Sequence, residues 1–367
     1  MKTKDQIQEE GLSAIGNSKL AGVEISMGVG KTYLSIKHMA KNYHDSVKYL
    51  VVAPRVKIFD SWKDNFKEFN YEGLLDHVDF STYRSLTKQG VGLYDIVYLD
   101  ECHSLKHSHA DWLDNFISKG GKVLGLTGTY PVRSGSEKGI MCNKYCPKVY
   151  EYCTDDAVED DILNDYRIYV HKLYLNGTPT IPVTTKNGSD FMTSEVKSYN
   201  YWTLRVDSAN TAKSEQIARI QRMKAMQSFP SKENYARKLL DRVTKKTLIF
   251  APTQAQADRL CEHSVHSKNK ESDRNLEQFK EGKILKLSAV EQLSEGVNIP
   301  NLETGIIMHA YANNRKTAQK LGRFLRLNTE KVATIHILCY YNSIDRDWVT
   351  SGLDAFEDDK IKWIEAV

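Results

Sequence analysis

Short apolar runs that end at polar turns recur in two sets along the chain. The first set is "KYLVVAP", "YDIVYLDE" and "KVLGLTGT"; the second is "KTLIFAPT", "KILKLSA", "ETGIIMHA" and "ATIHILCY". They are short, rich in β-branched residues and do not alternate with polar positions, which predicts strands buried on both faces of a parallel sheet. Helical stretches lie between them, such as "KTYLSIKHMAKNY", "IFDSWKDNFKEF", "NYARKLLDRV" and "TQAQADRLCEH". Strands alternating with helices in two sets predict an α/β chain of two parallel-sheet domains. The expected division is 1–150 and 151–367, the second domain carrying a helical or irregular insertion at about 175–240, where the pattern blurs. There "TPTIPVTTKNGSD" reads as a loop or hairpin and "TAKSEQIARIQRMKAMQSF" as a highly charged helix. The closing "GLDAFEDDKIKWIEAV" is expected to form a terminal helix with an acidic start. No solenoid-type repeat or low-complexity tract is present.

Composition narrows the function only a little. A length of 367 residues, 41% apolar and 27% charged, suits a soluble globular protein of two domains. Lys and Arg total 51 against 47 acids, a formal charge of +4. That excludes a wholesale cationic coat and leaves room for a local basic groove. The opening "MKTKDQIQEE" lacks the apolar run of a signal peptide, and no stretch of about 18 apolar residues occurs, so a cytoplasmic location is expected. Six cysteines show no disulfide framework. The spacing of Cys142, Cys146 and Cys153, with His171 beyond, is not that of a zinc knuckle, so core or loop thiols are the favoured reading. Solvated histidines are likewise favoured over a metal cluster at His103, His107 and His109.

The chemistry begins at "SMGVGKTYLS". Gly28 and Gly30 precede Lys31 and Thr32 at a turn before a helix. Glycines let successive backbone N–H groups curl around a phosphate, and the helix N-terminus adds partial positive charge. Lysine then reaches the β- and γ-phosphates and the threonine hydroxyl takes Mg²⁺. The full P-loop spacing asks for a glycine where this chain has Ile25. About 70 residues on, "YDIVYLDECH" delivers Asp100 and Glu101 at the carboxyl end of a buried strand, where ligands of α/β sheets bind. Asp100 is expected to hold Mg²⁺ and Glu101 to polarise an attacking water. In "LTGTYPV", Thr127 and Thr129 are placed to hydrogen-bond to the acidic pair. In "QKLGRFLRL", Arg323 and Arg326 share one helical face, where two guanidiniums call for an anion between them.

The P-loop, DECH, TGT, "LSEGVNIP" and "QKLGRFLR", in this order, resemble motifs I, II, III, V and VI of superfamily 2 helicases. "VVAPRVKIFDSW" is similar to motif Ia, "DFSTYRSL" to the strand-binding motif after it and "TLIFAPTQAQADRL" to motif IV. The DExH box and the Q-x-x-G-R-x-x-R ending resemble the DEAH-like side of the superfamily, which includes restriction-enzyme motor subunits; the compact length resembles small phage-encoded forms. The resemblance implies two RecA-like domains with ATP and Mg²⁺ in the cleft between them. It implies that Gln8 reads adenine, that Gln319 orients the attacking water, and that Arg323 and Arg326 bracket the γ-phosphate as arginine fingers. Glu295, Gly296 and Asn298 would lie beside that site, His103 would couple it to movement, and nucleic acid would cross Pro54, Arg55, Thr82, Tyr83, Arg84, Thr253 and Ser288. The implied activity is an ATP-dependent helicase or translocase in a bacterial or phage-infected cytoplasm. DNA is favoured over RNA as partner, with replication, recombination or repair proteins as further partners. A duplex translocase without strand separation and an ATP-gated clamp are the alternatives. A small-molecule P-loop kinase is disfavoured, because it would not need "QKLGRFLR".

Overall fold

Six parallel strands build the first sheet of the computed structural model: β1 (Leu20–Ile25), β2 (Tyr49–Ala53), β3 (Val78–Thr82), β4 (Ile96–Asp100), β5 (Lys122–Thr127) and β6 (Lys148–Tyr152), in the order β3-β2-β4-β5-β1-β6. The described residues are 1–26, 28–131, 135–184, 187–188, 190–290, 299–310, 332–353 and 356–366. Every residue of β2 and β4 is buried, as expected of strands covered on both faces. The covering helices are α1 (Lys4–Ile15), α2 (Lys31–Lys41), α3 (Lys57–Glu68), α4 (Ala110–Ser118), α5 (Glu137–Tyr145) and α6 (Thr154–Glu159). This first unit runs over Met1–Asp165. The boundary expected after residue 150 falls inside β6, and the structure corrects it. β6 pairs with β1, Val23 opposite Tyr150 and Ile25 opposite Tyr152, and Ala157, Ile162 and Leu163 join the same core.

The described residues from Tyr166 onward make the second unit. Its sheet is also parallel: β7 (Tyr166–Leu173), β10 (Thr247–Phe250), β11 (Ser264–Val265), β12 (Lys286–Ala289), β13 (Thr304–Ile307), β14 (Ala333–Tyr340) and β15 (Ile361–Glu365), ordered β11-β12-β10-β13-β14-β7-β15. Between β7 and β10 lie an antiparallel hairpin, β8 (Ile181–Thr184) with β9 (Asp190–Thr193), and three helices, α7 (Glu195–Asp207), α8 (Ala212–Ser228) and α9 (Pro230–Arg242). Helices α10 (Gln254–Leu260), α11 (Ser272–Lys280) and α12 (Asp345–Leu353) complete the layers. The expected terminal helix is a strand instead. Ile361 and Trp363 alternate with lysines, a β-type pattern, and β15 pairs with β7 with Trp363 opposite Val170.

The insertion is tied to its sheet by one buried acid. Glu195, fully buried in the first turn of α7, accepts hydrogen bonds from the backbone N–H of Ser231 (2.9 Å), the backbone N–H of Asn176 (2.9 Å) and the Ser231 hydroxyl (2.7 Å). Nearby, Lys232 and Asp345 form a buried ion pair at 2.5 Å, and Asp345 also accepts from the Tyr340 N–H at 2.9 Å.

Candidate functional site

Local sequence sets the first wall of the site. Thr3 and Gln6 form a reciprocal cap that starts α1, and the helix buries Ile7, Gln8, Gly11, Leu12 and Ile15. Gln8 therefore turns inward, where its Nε2 donates to the carbonyl of Val29 at 3.1 Å. Its buried Oε1 has no hydrogen-bond partner among the described residues. Gly28 and Gly30 have φ of 92° and 114°, conformations that side chains rarely adopt. A Cβ on Gly30 would stand 2.8 Å from Gln8 Nε2, so that glycine also permits the close approach. Gly30 caps α2 without a side-chain hydrogen bond, so no side chain caps the first-turn N–H groups of Lys31 and its neighbours, an arrangement that suits an anion. Ile25, at the departed glycine position, ends β1 fully buried in the core, and the loop turns after it.

The second wall comes from the ends of β4 and β5. Lys31 Nζ lies 3.8 Å from Glu101 Oε1. Glu101 is one of four non-glycine residues with positive φ among the described residues (51°), a strained conformation of the kind that clusters at functional sites. Thr127 Oγ1 lies 2.9 Å from the Thr129 carbonyl, to which it donates its single proton in preference to Glu101 Oε2 at 3.4 Å. It accepts from the Thr129 N–H at 3.1 Å. His103 Nδ1, 3.0 Å from Thr127 Oγ1 and 3.3 Å from Glu101 Oε2, then carries a proton and donates to this pair. The Thr129 hydroxyl oxygen is buried without a partner among the described residues. Asp100 accepts from Trp62 Nε1 at 3.0 Å. Burial first, then the adjacent negative charge of Glu101, raises its carboxyl to about 6, while the Trp62 N–H and Lys31 oppose the shift.

Lys31, Asp100, Glu101, His103 and Thr127 are thus brought together in the first unit, with Thr32, Gly28, Gly30 and Gln8 on the adjoining loop and helices. Two expected nucleic-acid contacts are corrected. Tyr83 is buried and donates its hydroxyl to the Asp100 carbonyl at 2.9 Å. Ser288 is fully buried, its hydroxyl donating to the Ala257 carbonyl at 2.7 Å. Arg55, Arg84 and Thr253 are exposed, and Pro54 and Thr82 half-buried. Thr253 is also the cap of α10, accepting from the Gln256 N–H. Glu295, Gly296, Asn298, Gln319, Arg323 and Arg326 lie outside the described residues. Trp62 was not singled out by sequence as a site residue. The available signal was its place at i, i+4 to Phe66 on the amphipathic α3, which reads equally as core.

The other candidate clusters are structural. Cys142 and Cys146 pack in the core of the first unit, and Cys153 caps α6. His171 belongs to the second unit, where it contacts the Tyr235 hydroxyl at 2.7 Å and His336 at 2.9 Å; burial pushes both histidines down to about 4. His109 is buried and accepts from the Lys106 N–H. Among the described residues, no group of three or more His, Cys, Asp or Glu side chains could hold a metal ion. None of the described helices is long and apolar enough to cross a membrane.

Comparison with known proteins gives two family matches in order. Residues 3–132 match the family described as type III restriction enzyme, res subunit, and residues 231–328 match the helicase conserved C-terminal domain. The chain is 21% identical over 360 residues to a protein of Sulfurisphaera tokodaii named DNA 3′-5′ translocase XPB2, covering 90% of this chain and 80% of that one. Its fold is similar to the ATP-dependent type ISP restriction-modification enzyme LlaBIII bound to DNA (14% identity, TM-score 0.63), covering all of this chain and 31% of that one. It is similar too to Saccharomyces cerevisiae Dbp5 bound to RNA and ADP BeF3 (12% identity, TM-score 0.59), covering 98% of this chain and 90% of that one.

Proposed function

This chain belongs to superfamily 2 of the helicases, whose members are ATP-hydrolysing enzymes, and we propose that it is a motor that uses ATP to step along DNA. The observation that carries this reading is the convergence of Gln8, Gly30, Lys31, Asp100 and Glu101 on one loop and the neighbouring strand ends.

The residues fit ATP. The orphaned amide oxygen of Gln8 suits the exocyclic amine of adenine, and the α2 N-terminus, free of a side-chain cap, suits phosphate oxygens. They also fit a hard divalent cation. Two adjacent carboxylates, one raised to about 6 by burial and by its neighbour, are relieved by positive charge, with Asp100 and Thr32 as the holding groups. Mg²⁺, when bound, neutralises charge on the β- and γ-phosphates. Lys31 turns from Glu101 to the phosphates, and Glu101 Oε1 then takes a proton from the attacking water while His103 Nδ1 holds Oε2. By their resemblance to motif VI alone, Gln319, Arg323 and Arg326, which lie outside the described residues, are proposed as a water-orienting amide and two guanidiniums for the charge that develops on the γ-phosphate. Asn298 and Gly296, also outside the described residues, are proposed as nucleotide contacts by the same resemblance. The DEAH-like assignment remains part of this reading.

DNA is the proposed track because the Sulfurisphaera relative is named a DNA translocase and the LlaBIII structure contains DNA. The relative's name also favours translocation, with or without strand separation, over an ATP-gated clamp. The test is ATP turnover measured in parallel with single-stranded DNA, duplex DNA, forked DNA and RNA. DNA should stimulate hydrolysis over many turnovers per binding event, and Lys31→Ala should lower the stimulated rate by at least about 100-fold. No stimulation by any nucleic acid would overturn the reading.

A further inference from the structure

Two buried aromatic side chains converge on Asp100, and each comes from a segment proposed above to touch nucleic acid. Trp62 (1% exposed) reaches the carboxylate, its Nε1–H donating to Oδ2 at 3.0 Å. Tyr83 (6% exposed) reaches the backbone, its hydroxyl donating to the Asp100 carbonyl at 2.9 Å. The strands involved are neighbours, β3-β2-β4, so the chain leaves β2 and β3 next to the end of β4.

Each aromatic is linked to surface groups by short, ordered backbone. Pro54, Arg55 and Val56 run directly into α3, with the N–H of Ile58 bonded to the Arg55 carbonyl at 3.1 Å and that of Phe59 to the Val56 carbonyl at 2.9 Å. Trp62 sits on the next turn of that helix, so a shift of the loop moves the helix and the indole together. Tyr83 lies between Thr82 and the exposed Arg84. The Asp100 carbonyl that it holds belongs to the peptide joining Asp100 to Glu101. The orientation of that peptide is set by the left-handed φ of Glu101, 51°.

We propose that Trp62 and Tyr83 are positioning residues that tie the Pro54–Arg55 and Thr82–Arg84 segments to the acidic pair, so that nucleic acid docked on these segments aligns Asp100 and Glu101 for hydrolysis. This rests on the motor reading above. The indole sets the direction of the metal-holding carboxylate; the phenol sets the peptide from which the base projects. A purely structural role for two buried aromatics would not distinguish the metal-loaded nucleotide from the free one.

The experiment uses the full chain with Trp62→Phe and Tyr83→Phe, each of which keeps a ring and removes one donor. Binding of a fluorescent ADP analogue is measured with Mg²⁺ and with EDTA, single-stranded DNA binding is measured without nucleotide, and kcat and KM are measured with and without DNA. Trp62→Phe should weaken Mg²⁺–ADP about 10-fold, the low end for loss of a group that orients a metal ligand, and leave ADP in EDTA unchanged. Tyr83→Phe should lower DNA-stimulated kcat about 10-fold with KM and Mg²⁺–ADP affinity near wild type, the signature of a group felt mainly in the transition state. DNA affinity should stay within about 2-fold in both, since neither ring is exposed. If Trp62→Phe does not fold, Tyr83→Phe, which loses a single oxygen, carries the test. Wild-type values for metal–nucleotide affinity and stimulated kcat in the folded variants overturn the inference while the motor reading stands. A wild-type protein that DNA does not stimulate overturns the motor reading, and this inference with it.

Discussion

At the scale of single residues, Glu101 is constrained through both its backbone and its side chain. It has a left-handed backbone, a lysine 3.8 Å from one carboxylate oxygen, and a histidine and a threonine around the other. Glu101→Gln keeps the shape and much of the hydrogen bonding but cannot accept a proton. Stimulated turnover should fall about 10²–10⁴-fold while binding of ATP is retained. Steady-state hydrolysis beside equilibrium binding of a fluorescent ATP analogue checks this, and unchanged turnover would assign the base to another residue. The amino-acid types and spacing around Lys31 and "DECH" were enough to expect these side chains near one another, and Lys31 Nζ does lie 3.8 Å from Glu101 Oε1. Tyr83 was legible only as a member of a surface-like motif, because exposure depends on which way a side chain points once its strand is paired.

At the scale of elements, the insertion between β7 and β10 is attached through Glu195. One carboxylate satisfies three donors from two separate segments, the N–H groups of Asn176 and Ser231 and the Ser231 hydroxyl. Glu195→Ala leaves these donors unpaired in a buried place, and the expected loss of stability is about 2–4 kcal/mol. Urea melts of the variant and of Glu195→Gln check it. The amide retains one acceptor oxygen and should fall between wild type and alanine; equal stability of all three would mean the donors find water instead. The segment of the hairpin read equally as a loop and α7 was not legible, whereas helices α8 and α9 were legible from charge and spacing. The edge strand β15 was not, since its partner, β7, is almost two hundred residues away in sequence and an isolated "KIKWIE" can serve helix or strand.

At the scale of the whole molecule, a formal charge of only +4 means that any nucleic-acid affinity depends on local arginines and lysines. The logarithm of DNA affinity should fall linearly with that of salt concentration, and Arg84→Ala should reduce the slope by about 1 without altering preference among sequences. Fluorescence anisotropy over a salt series measures both. A sequence-selective loss would point to base contacts and overturn the phosphate-tracking view.

Sequence by itself determined the two parallel sheets and the grouping of Lys31 with Asp100 and Glu101. Both are written in short-range patterns: apolar runs too short and unbroken for anything but buried strands, and glycines and charges at spacings that a loop before a helix enforces. Tertiary structure alone decided what surrounds those residues. It turned Gln8 onto the Gly30 loop, handed Asp100 an indole from α3, buried Tyr83 and Ser288, carried the first unit past β6 and made the last segment a strand. Each of these is a contact between segments far apart in the chain. Such contacts depend on which strands lie side by side, and strand order is settled by the packing of the whole sheet rather than by any local run of residues.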